Sequence, residues 1–132
     1  MSLVSLSSCS NEQDVRSSAV SQMSVQELRS LRNSEQMFFL FDVREQWERE
    51  IAQIDGSQIL DEKAVELIST LSPESFMVFH CRTGRRSQLA AEYFQTQGFT
   101  RVVNLRGGIE AWSIEIDPTV PRYTSKKQKN KN

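Results

Sequence analysis

Residues 76–94 read FMVFHCRTGRRSQLAAEYF, and this stretch decides the fold. The apolar run over residues 76–79 predicts a short strand buried on both faces, as in a parallel sheet. A polar segment with Cys81 and Gly84 follows at once, and after it comes an amphipathic helix pattern that ends near Gly98. We therefore expect Cys81 at the carboxyl end of a strand, where open α/β sheets place their ligands.

Strand and helix patterns alternate on both sides of this stretch. Ser24 and Glu27 form a capping box at the start of the first helix. Further strands are predicted over residues 37–41, 58–60 and 101–105, and further helices over residues 44–51, 61–71 and 109–114. This alternation predicts an α/β fold, a three-layer domain with a central, mostly parallel sheet of about five strands and helices on both faces.

Two of these helix patterns assign side chains to the core or to solvent. In the helix over residues 44–51, Trp47 and Ile51 are predicted to face the core. The same helix is predicted to expose four charged residues, Glu45, Glu48, Arg49 and Glu50. The helix after Cys81 is predicted to bury a stripe of four residues, Leu89, Ala90, Tyr93 and Phe94.

Length, charge and composition limit the classes of protein. The chain has 132 residues and a formal net charge of -1, which fits one domain and gives no sign of a nucleic-acid or membrane binder. Residues 1–21, rich in Ser, Gln and Asn, predict a flexible leader, and residues 22–123 the domain. Residues 124–132 predict a disordered basic tail.

The two cysteines, Cys9 and Cys81, have different settings and predict free thiols in a reducing compartment. The single histidine, His80, leaves no Cys/His cluster, so we predict no metal site. Residues 6–9 are similar to the lipobox of bacterial lipoproteins, but only eight residues precede Cys9 and none of them is basic. We expect a cytoplasmic protein, with lipid anchoring or a periplasmic location through Cys9 as the alternative.

Cys81 has the surroundings of an activated nucleophile. The amides of a tight loop and the amino end of a helix favour a thiolate over a thiol. Gly84 allows a backbone conformation that a side chain would obstruct, and three arginines add positive charge: Arg82, Arg85 and Arg86. A structural cysteine, which is the alternative, needs none of these neighbours.

The spacing within this loop separates two enzyme families. Cysteine phosphatases resemble His-Cys-x-x-Gly-x-x-Arg-Ser, whereas here one residue, not two, separates Gly84 from Arg86. A tetrahedral phosphoryl group must be encircled by the longer loop, while a single sulfur atom needs a tighter ring of amides. Residues 81–86, CRTGRR, therefore resemble the six-residue active loop of the rhodaneses.

Other motifs extend this resemblance over about residues 24–123. FDVRE at residues 41–45, with Glu48, is similar to the first rhodanese signature, and VNLRGGIEAW at residues 103–112 is similar to the closing one. One segment departs from the family: residues 52–57 read AQIDGS where GHIPGA is usual, and the loop after it is shortened. We expect a remodelled loop beside the domain edge, with a bearing on substrate access.

The resemblance implies a thiosulfate-type sulfurtransferase. Cys81 would take a sulfur atom from a small anionic donor, hold it as a persulfide and pass it to cyanide or to a thiol, free or on a protein. The active-site loop would bind the donor through Arg82, Thr83, Gly84, Arg85 and Arg86, with Arg86 as the strongest candidate side chain.

The remaining motif residues are predicted to be structural. Asp42 and Arg44 cap or pair near the loop, His80 packs away from the cysteine sulfur, and Trp112 lies in the core. We predict no cofactor, no nucleic-acid partner and a monomer. Two alternatives stay open: a non-catalytic binding or regulatory module with the same fold, and a cysteine phosphatase or arsenate reductase.

Overall fold

The computed structural model describes residues 19–124, over which strands and helices alternate. The strands are β1 (Ser21–Met23), β2 (Phe39–Asp42), β3 (Gln58–Ile59), β4 (Met77–His80) and β5 (Val102–Leu105). The helices are α1 (Val25–Arg32), α2 (Gln46–Ile51), α3 (Glu62–Ser69), α4 (Arg85–Thr96) and α5 (Gly108–Glu115). Cys9, most of the predicted leader and all of the predicted tail beyond Thr124 lie outside the described residues.

The five strands form one sheet in the order β1-β5-β4-β2-β3, and every neighbouring pair is parallel. The predicted α/β fold with a parallel sheet is therefore confirmed. Because all strands run the same way, the carboxyl ends of β2, β4 and β5 meet at one edge of the sheet. Asp42 and His80 end β2 and β4 at that edge, and Cys81 follows directly.

Helices cover both faces of the sheet, as predicted. On one face, residues of α1 and α5 form a core with alternate strand residues: Val25, Leu28, Ile109 and Trp112 with Leu40, Val78 and Leu105. On the other face, α3 and α4 pack on the intervening strand residues: Ala64, Ile68, Ala91 and Phe94 with Phe41, Met77 and Phe79. The alternation follows from the two-residue period of a strand, which sends neighbouring side chains to opposite faces.

The predicted inner stripe of α4 is wrong at two positions. Leu89 is 67% exposed and Tyr93 is 55% exposed. The buried positions of this helix are Ser87, Ala91 and Phe94, which are four and three residues apart and so share one face. Ser87 sets this helical phase because it is turned inward toward Cys81, which leaves Leu89 and Tyr93 on the outer side.

One predicted strand begins later than expected, and one strand of the sheet was not predicted. Met37 is 82% exposed, because β2 begins only at Phe39, where pairing with β4 begins. The strand that was not predicted, β1, lies at one edge of the sheet and begins at Ser21, and Val20 before it is buried, so the domain extends into the predicted leader. This short polar strand pairs with β5, and it lacks the apolar run by which a central strand is identified.

Candidate active site

The loop between β4 and α4 turns at a glycine that no other residue could replace without strain. Gly84, at the amino end of α4, has a φ of 105°, in the left-handed region. A Cβ atom there would lie 3.3 Å from the amide nitrogen of Gly107 and 3.4 Å from the carbonyl oxygen of Leu105. The glycine thus lets the loop close tightly over Cys81 and pack against the segment that follows β5.

The sulfur atom of Cys81 lies inside a ring of hydrogen-bond donors. The amide nitrogen of Gly84 is 3.1 Å from Sγ, and Ser87 contributes its amide nitrogen at 3.4 Å and its Oγ at 3.3 Å. Burial raises the pKa of the thiol, but the hydrogen bonds from Ser87, Gly84 and Thr83 outweigh it and hold the pKa below its usual value. The geometry therefore favours the thiolate, which is the nucleophilic form.

Ser87 and Asn104 form a polar pair behind the sulfur that the sequence analysis did not assign to the site. Asn104 Nδ2 donates to the carbonyl oxygen of Gly84 at 3.1 Å and to Gln22 Oε1 at 2.9 Å, so Asn104 Oδ1 faces Ser87. Ser87 Oγ lies 2.6 Å from this oxygen. The single hydroxyl proton of Ser87 is therefore shared between Asn104 and the sulfur of Cys81.

The three loop arginines differ in their partners. Arg86 donates to Glu48 from both terminal nitrogens, at 2.8 and 3.0 Å. Arg82 lies 3.7 Å from Glu110, near enough for an ion pair between two partly exposed side chains. Arg85 is exposed and forms no ion pair with any residue that the structure describes. Of the three, Arg85 thus keeps its charge least compensated.

The predicted exposure of Glu48 is wrong, since its side chain is 2% exposed. Beside the two bonds from Arg86, its carboxylate accepts from the Tyr123 hydroxyl at 2.8 Å and from the Glu45 amide at 3.0 Å. Burial raises the pKa of this carboxyl, but these donors, Arg86 foremost, lower it to about 2. A buried charge is tolerated here because it is fully paired.

Asp42 and Arg44 form a buried ion pair beneath the loop. The carboxylate accepts from Arg44 Nε at 2.9 Å and Nη2 at 2.7 Å, and from Arg49 Nη1 at 2.8 Å. Burial raises the pKa of Asp42, but the hydrogen bonds and the charge of Arg44 have the larger effect, and the pKa is lowered to about 2. Neither side chain contacts the sulfur of Cys81 in the described hydrogen bonds. Arg44 instead donates to the carbonyl oxygens of Glu48 and Ala52, so the pair ties the end of β2 to α2.

His80 is buried and points away from the reactive sulfur. Its Nδ1 lies 3.3 Å from the carbonyl oxygen of Cys81, and its Nε2 lies 3.7 Å from Asp42 Oδ2. Burial lowers the pKa of this histidine to about 4, so the ring is neutral at pH 7. This position gives His80 no part as a base toward the cysteine thiol.

A cavity of about 290 Å³ opens above Cys81. It is lined by the loop and by the start of α2: Glu45, Trp47, Glu48, Cys81, Arg82, Thr83, Arg85 and Arg86. Residues 52–57, which differ from the sequence usual in rhodaneses, do not line this cavity. Entry for a small molecule is therefore bounded by the loop and α2, on the side of the loop that carries the arginines.

No group of three or more His, Cys, Asp or Glu side chains within residues 19–124 is placed to hold a metal ion. Within the same residues, no helix has the length and apolar character required to cross a membrane.

The fold and the site define an α/β domain with a parallel sheet and with a cysteine sulfur enclosed by a strand-to-helix loop. A sequence model of the family described as Rhodanese-like domain matches residues 24–115. The chain belongs to this family.

Individual relatives agree with this assignment. The chain is 39% identical over 89 residues to the rhodanese-like/PpiC domain-containing protein 12, chloroplastic, of Arabidopsis thaliana, covering 64% of this chain and 30% of that protein. It is 34% identical over 100 residues to the probable adenylyltransferase/sulfurtransferase MoeZ of Mycobacterium tuberculosis, covering 74% of this chain and 26% of that one. The match thus spans under a third of the length of these curated relatives.

A solved structure shows the same fold. The human single-domain sulfurtransferase TSTD1 superposes with a TM-score of 0.61 at 26% identity, covering 74% of this chain and 98% of the human one.

Proposed function

We propose that this domain is a sulfurtransferase that carries a sulfur atom as a persulfide on Cys81. The observation that carries the proposal is the ring of Gly84 and Ser87 donors around Cys81 Sγ. Those donors stabilise negative charge on the sulfur and on a second sulfur bound to it. Two of the similar proteins, MoeZ and the human single-domain protein, have names that describe sulfurtransferases, which supports the same reading.

Thiosulfate is the donor that we propose for the first step. The Cys81 thiolate attacks the outer sulfur of thiosulfate, the sulfur–sulfur bond of the donor breaks, and sulfite leaves with the bonding electron pair. A new sulfur–sulfur bond on Cys81 then holds the transferred atom, which carries the negative charge. No external oxidant or reductant is needed, because the electrons are conserved within the two reactants.

The second step returns Cys81 to its starting state. Cyanide or a thiolate attacks the outer sulfur of the persulfide, and the electron pair of the broken bond returns to Cys81. The products are thiocyanate or a new persulfide on the acceptor. We propose a thiol, free or on a protein, as the natural acceptor, in a reducing compartment such as the cytoplasm where Cys81 persists as a thiol.

The loop arginines divide the work of binding the donor in this proposal. Because Glu48 compensates the charge of Arg86, long-range attraction of an anion falls mainly to Arg85, with Arg82 partly compensated by Glu110. Arg86 retains N–H groups beyond the two that bind Glu48, and it offers them in a fixed orientation. Arg85 then attracts the donor and Arg86 orients it.

Thiocyanate formation from thiosulfate and cyanide tests this function. Wild-type protein and Cys9→Ser are expected to form thiocyanate at equal rates, and Cys81→Ser is expected to form none above the uncatalysed rate. Equal, uncatalysed rates for all three proteins would contradict the proposal and would favour a binding module. Cys9→Ser is the matched control, because it removes the other thiol of the chain.

A further inference from the structure

Tyr123 is linked to the active-site loop through Glu48. Its hydroxyl oxygen lies 2.8 Å from Glu48 Oε1 and 2.8 Å from Arg44 Nη1. A guanidinium group only donates hydrogen bonds and a carboxylate only accepts them, so the hydroxyl proton must point to Glu48. Tyr123 is therefore a donor to the same carboxylate that binds Arg86.

The Tyr123 side chain is itself held in place. It is 6% exposed, and its ring packs edge-on against Trp47 with 6.2 Å between the ring centroids. The Arg44 guanidinium, which is paired with Asp42, lies 5.8 Å from the centre of the tyrosine ring. Because the neighbours on both sides are fixed, the hydroxyl has one position from which to bind Glu48.

Glu48 in turn fixes a positive charge at the entrance to the cavity. Its two oxygens bind the two terminal nitrogens of Arg86, which is the bidentate geometry with the least freedom of orientation. The Arg86 side chain is 41% exposed and lines the cavity over Cys81. A change in the position of the Glu48 carboxylate would therefore move the charge that an incoming anion meets.

We propose that Tyr123 is a positioning residue, which acts through Glu48 to hold the Arg86 guanidinium at the entrance of the Cys81 cavity. Tyr123 lies outside residues 24–115, the part that matches the family. In this proposal the segment that follows α5 contributes a hydrogen-bond donor to the site. That the anion is a sulfur donor rests on the proposed sulfurtransferase function. The experiment that tests the positioning role does not depend on that function.

Alkylation of Cys81 by two reagents of equal shape provides this test. Iodoacetate carries a negative charge and iodoacetamide does not, so the ratio of their rate constants reports how well the site receives an anion. A change in the pKa of Cys81 affects both rates alike and leaves the ratio unchanged. The measurements use the full chain with Cys9→Ser, so that Cys81 is the only thiol.

The expected result depends on whether Arg86 is present. Tyr123→Phe, which removes only the hydroxyl, lowers the ratio about threefold, which is less than the full loss of a hydrogen bond to a charged group because the effect reaches the anion only through Glu48 and Arg86. Tyr93→Phe, the same change on an exposed tyrosine of α4, leaves the ratio unchanged. Arg86→Gln also lowers the ratio, and adding Tyr123→Phe to it has no further effect, because the tyrosine acts only through that arginine.

A second variant provides an independent route. Glu48→Asp keeps the charge but withdraws the carboxylate by one methylene, and it is expected to lower the ratio as Tyr123→Phe does. Thermal denaturation shows whether each variant is folded at the assay temperature. An unchanged ratio in both variants overturns the proposal, and so does an equal effect of Tyr123→Phe with and without Arg86. If the alkylation ratios change as expected in the variants, but the wild type gains no sulfur from thiosulfate, the positioning role of Tyr123 stands and only the proposed function is refuted.

Discussion

Ser87 places two donors beside the sulfur of Cys81: its amide nitrogen at 3.4 Å, and at 3.3 Å its Oγ, whose single proton the sulfur shares with Asn104. Both residues are buried, so water does not compete for these bonds. Ser87 therefore influences the charge state of the nucleophile more directly than the arginines of the loop do.

Ser87→Ala is expected to raise the pKa of the Cys81 thiol, because the alanine keeps the amide donor and loses the hydroxyl donor. The rate of alkylation by iodoacetamide, measured against pH, follows the thiolate and should shift to higher pH in this variant. Ser69→Ala is the control, since that exposed hydroxyl bonds back to the Glu66 carbonyl within α3. An unshifted profile for Ser87→Ala would show that the backbone donors alone hold the thiolate.

Gly108→Ala is expected to lower the free energy of unfolding by about 3 kcal/mol or more. The new Cβ would lie 2.5 Å from the carbonyl oxygens of Cys81 and Arg82, and backbone atoms cannot rotate away. Gly98→Ala is the control, because Gly98 also has a positive φ but its Cβ would meet nothing within 4 Å. Urea denaturation should therefore show a loss of about 1 kcal/mol for Gly98→Ala. Equal losses of unfolding free energy in the two variants would show that the close approach of backbone atoms at Gly108 is not the cause.

Arg85→Gln is expected to raise the KM for thiosulfate about threefold at low salt, because this arginine has no described ion-pair partner. The difference from wild type should shrink as the salt concentration rises. Arg29→Gln removes the same charge from the exposed side of α1 and should leave the KM unchanged. Methanethiosulfonate, which carries one negative charge where thiosulfate carries two, should show a smaller effect of Arg85→Gln. Equal effects on both donors would argue against electrostatic attraction.

The stability of the fold should decrease as the pH falls from 6.5 to 4. Burial lowers the pKa of His80 from 6.5 to about 4, so the unfolded chain binds a proton in this range that the folded chain does not. The loss corresponds to about 3 kcal/mol for a single group of this kind. Urea denaturation at several pH values measures it, and His80→Asn should remove most of the slope.

Two carboxylates, Asp42 and Glu48, lose their contribution at lower pH, and Glu48 provides the internal reference because His80 is not among the groups that shift its pKa. Both have a pKa lowered to about 2, from 3.8 and 4.5, so their contribution is present above pH 4.5 and is lost as the pH falls toward 2. The part of that lower range that Glu48 contributes should look the same in wild type and in His80→Asn, whereas the Asp42 part should change, because His80 lies 3.7 Å from Asp42 and helps to lower its pKa. Equal slopes in both proteins between pH 6.5 and 4 would contradict the assignment to His80.

Local signals in the sequence were enough to predict most of the fold. The Ser24 hydroxyl accepts from the Glu27 amide at 3.1 Å, and the Glu27 carboxylate accepts from the Ser24 amide at 2.8 Å, as the capping box predicts. Buried central strands also carry their own signal in continuous apolar runs. The position of Cys81 between such a strand and α4 followed from these patterns alone.

The residues that the sequence analysis missed depend on partners far along the chain. Glu48 lies in a short charged helix, and its burial depends on Arg86 and Tyr123, which are 38 and 75 residues away. Its place in the first rhodanese signature was the signal that could have identified it. Asn104 likewise lies in the closing signature, yet its contact with Ser87 exists only once β5 lies beside β4.

Intact mass before and after incubation with thiosulfate tests the central claim most directly. The wild type and Cys9→Ser are each expected to gain one sulfur atom, which a reducing thiol removes again. Cys81→Ser is expected to gain none. A wild type whose mass is unchanged by thiosulfate, or a sulfur gain that persists in Cys81→Ser, would contradict the assignment of Cys81 as the sulfur carrier.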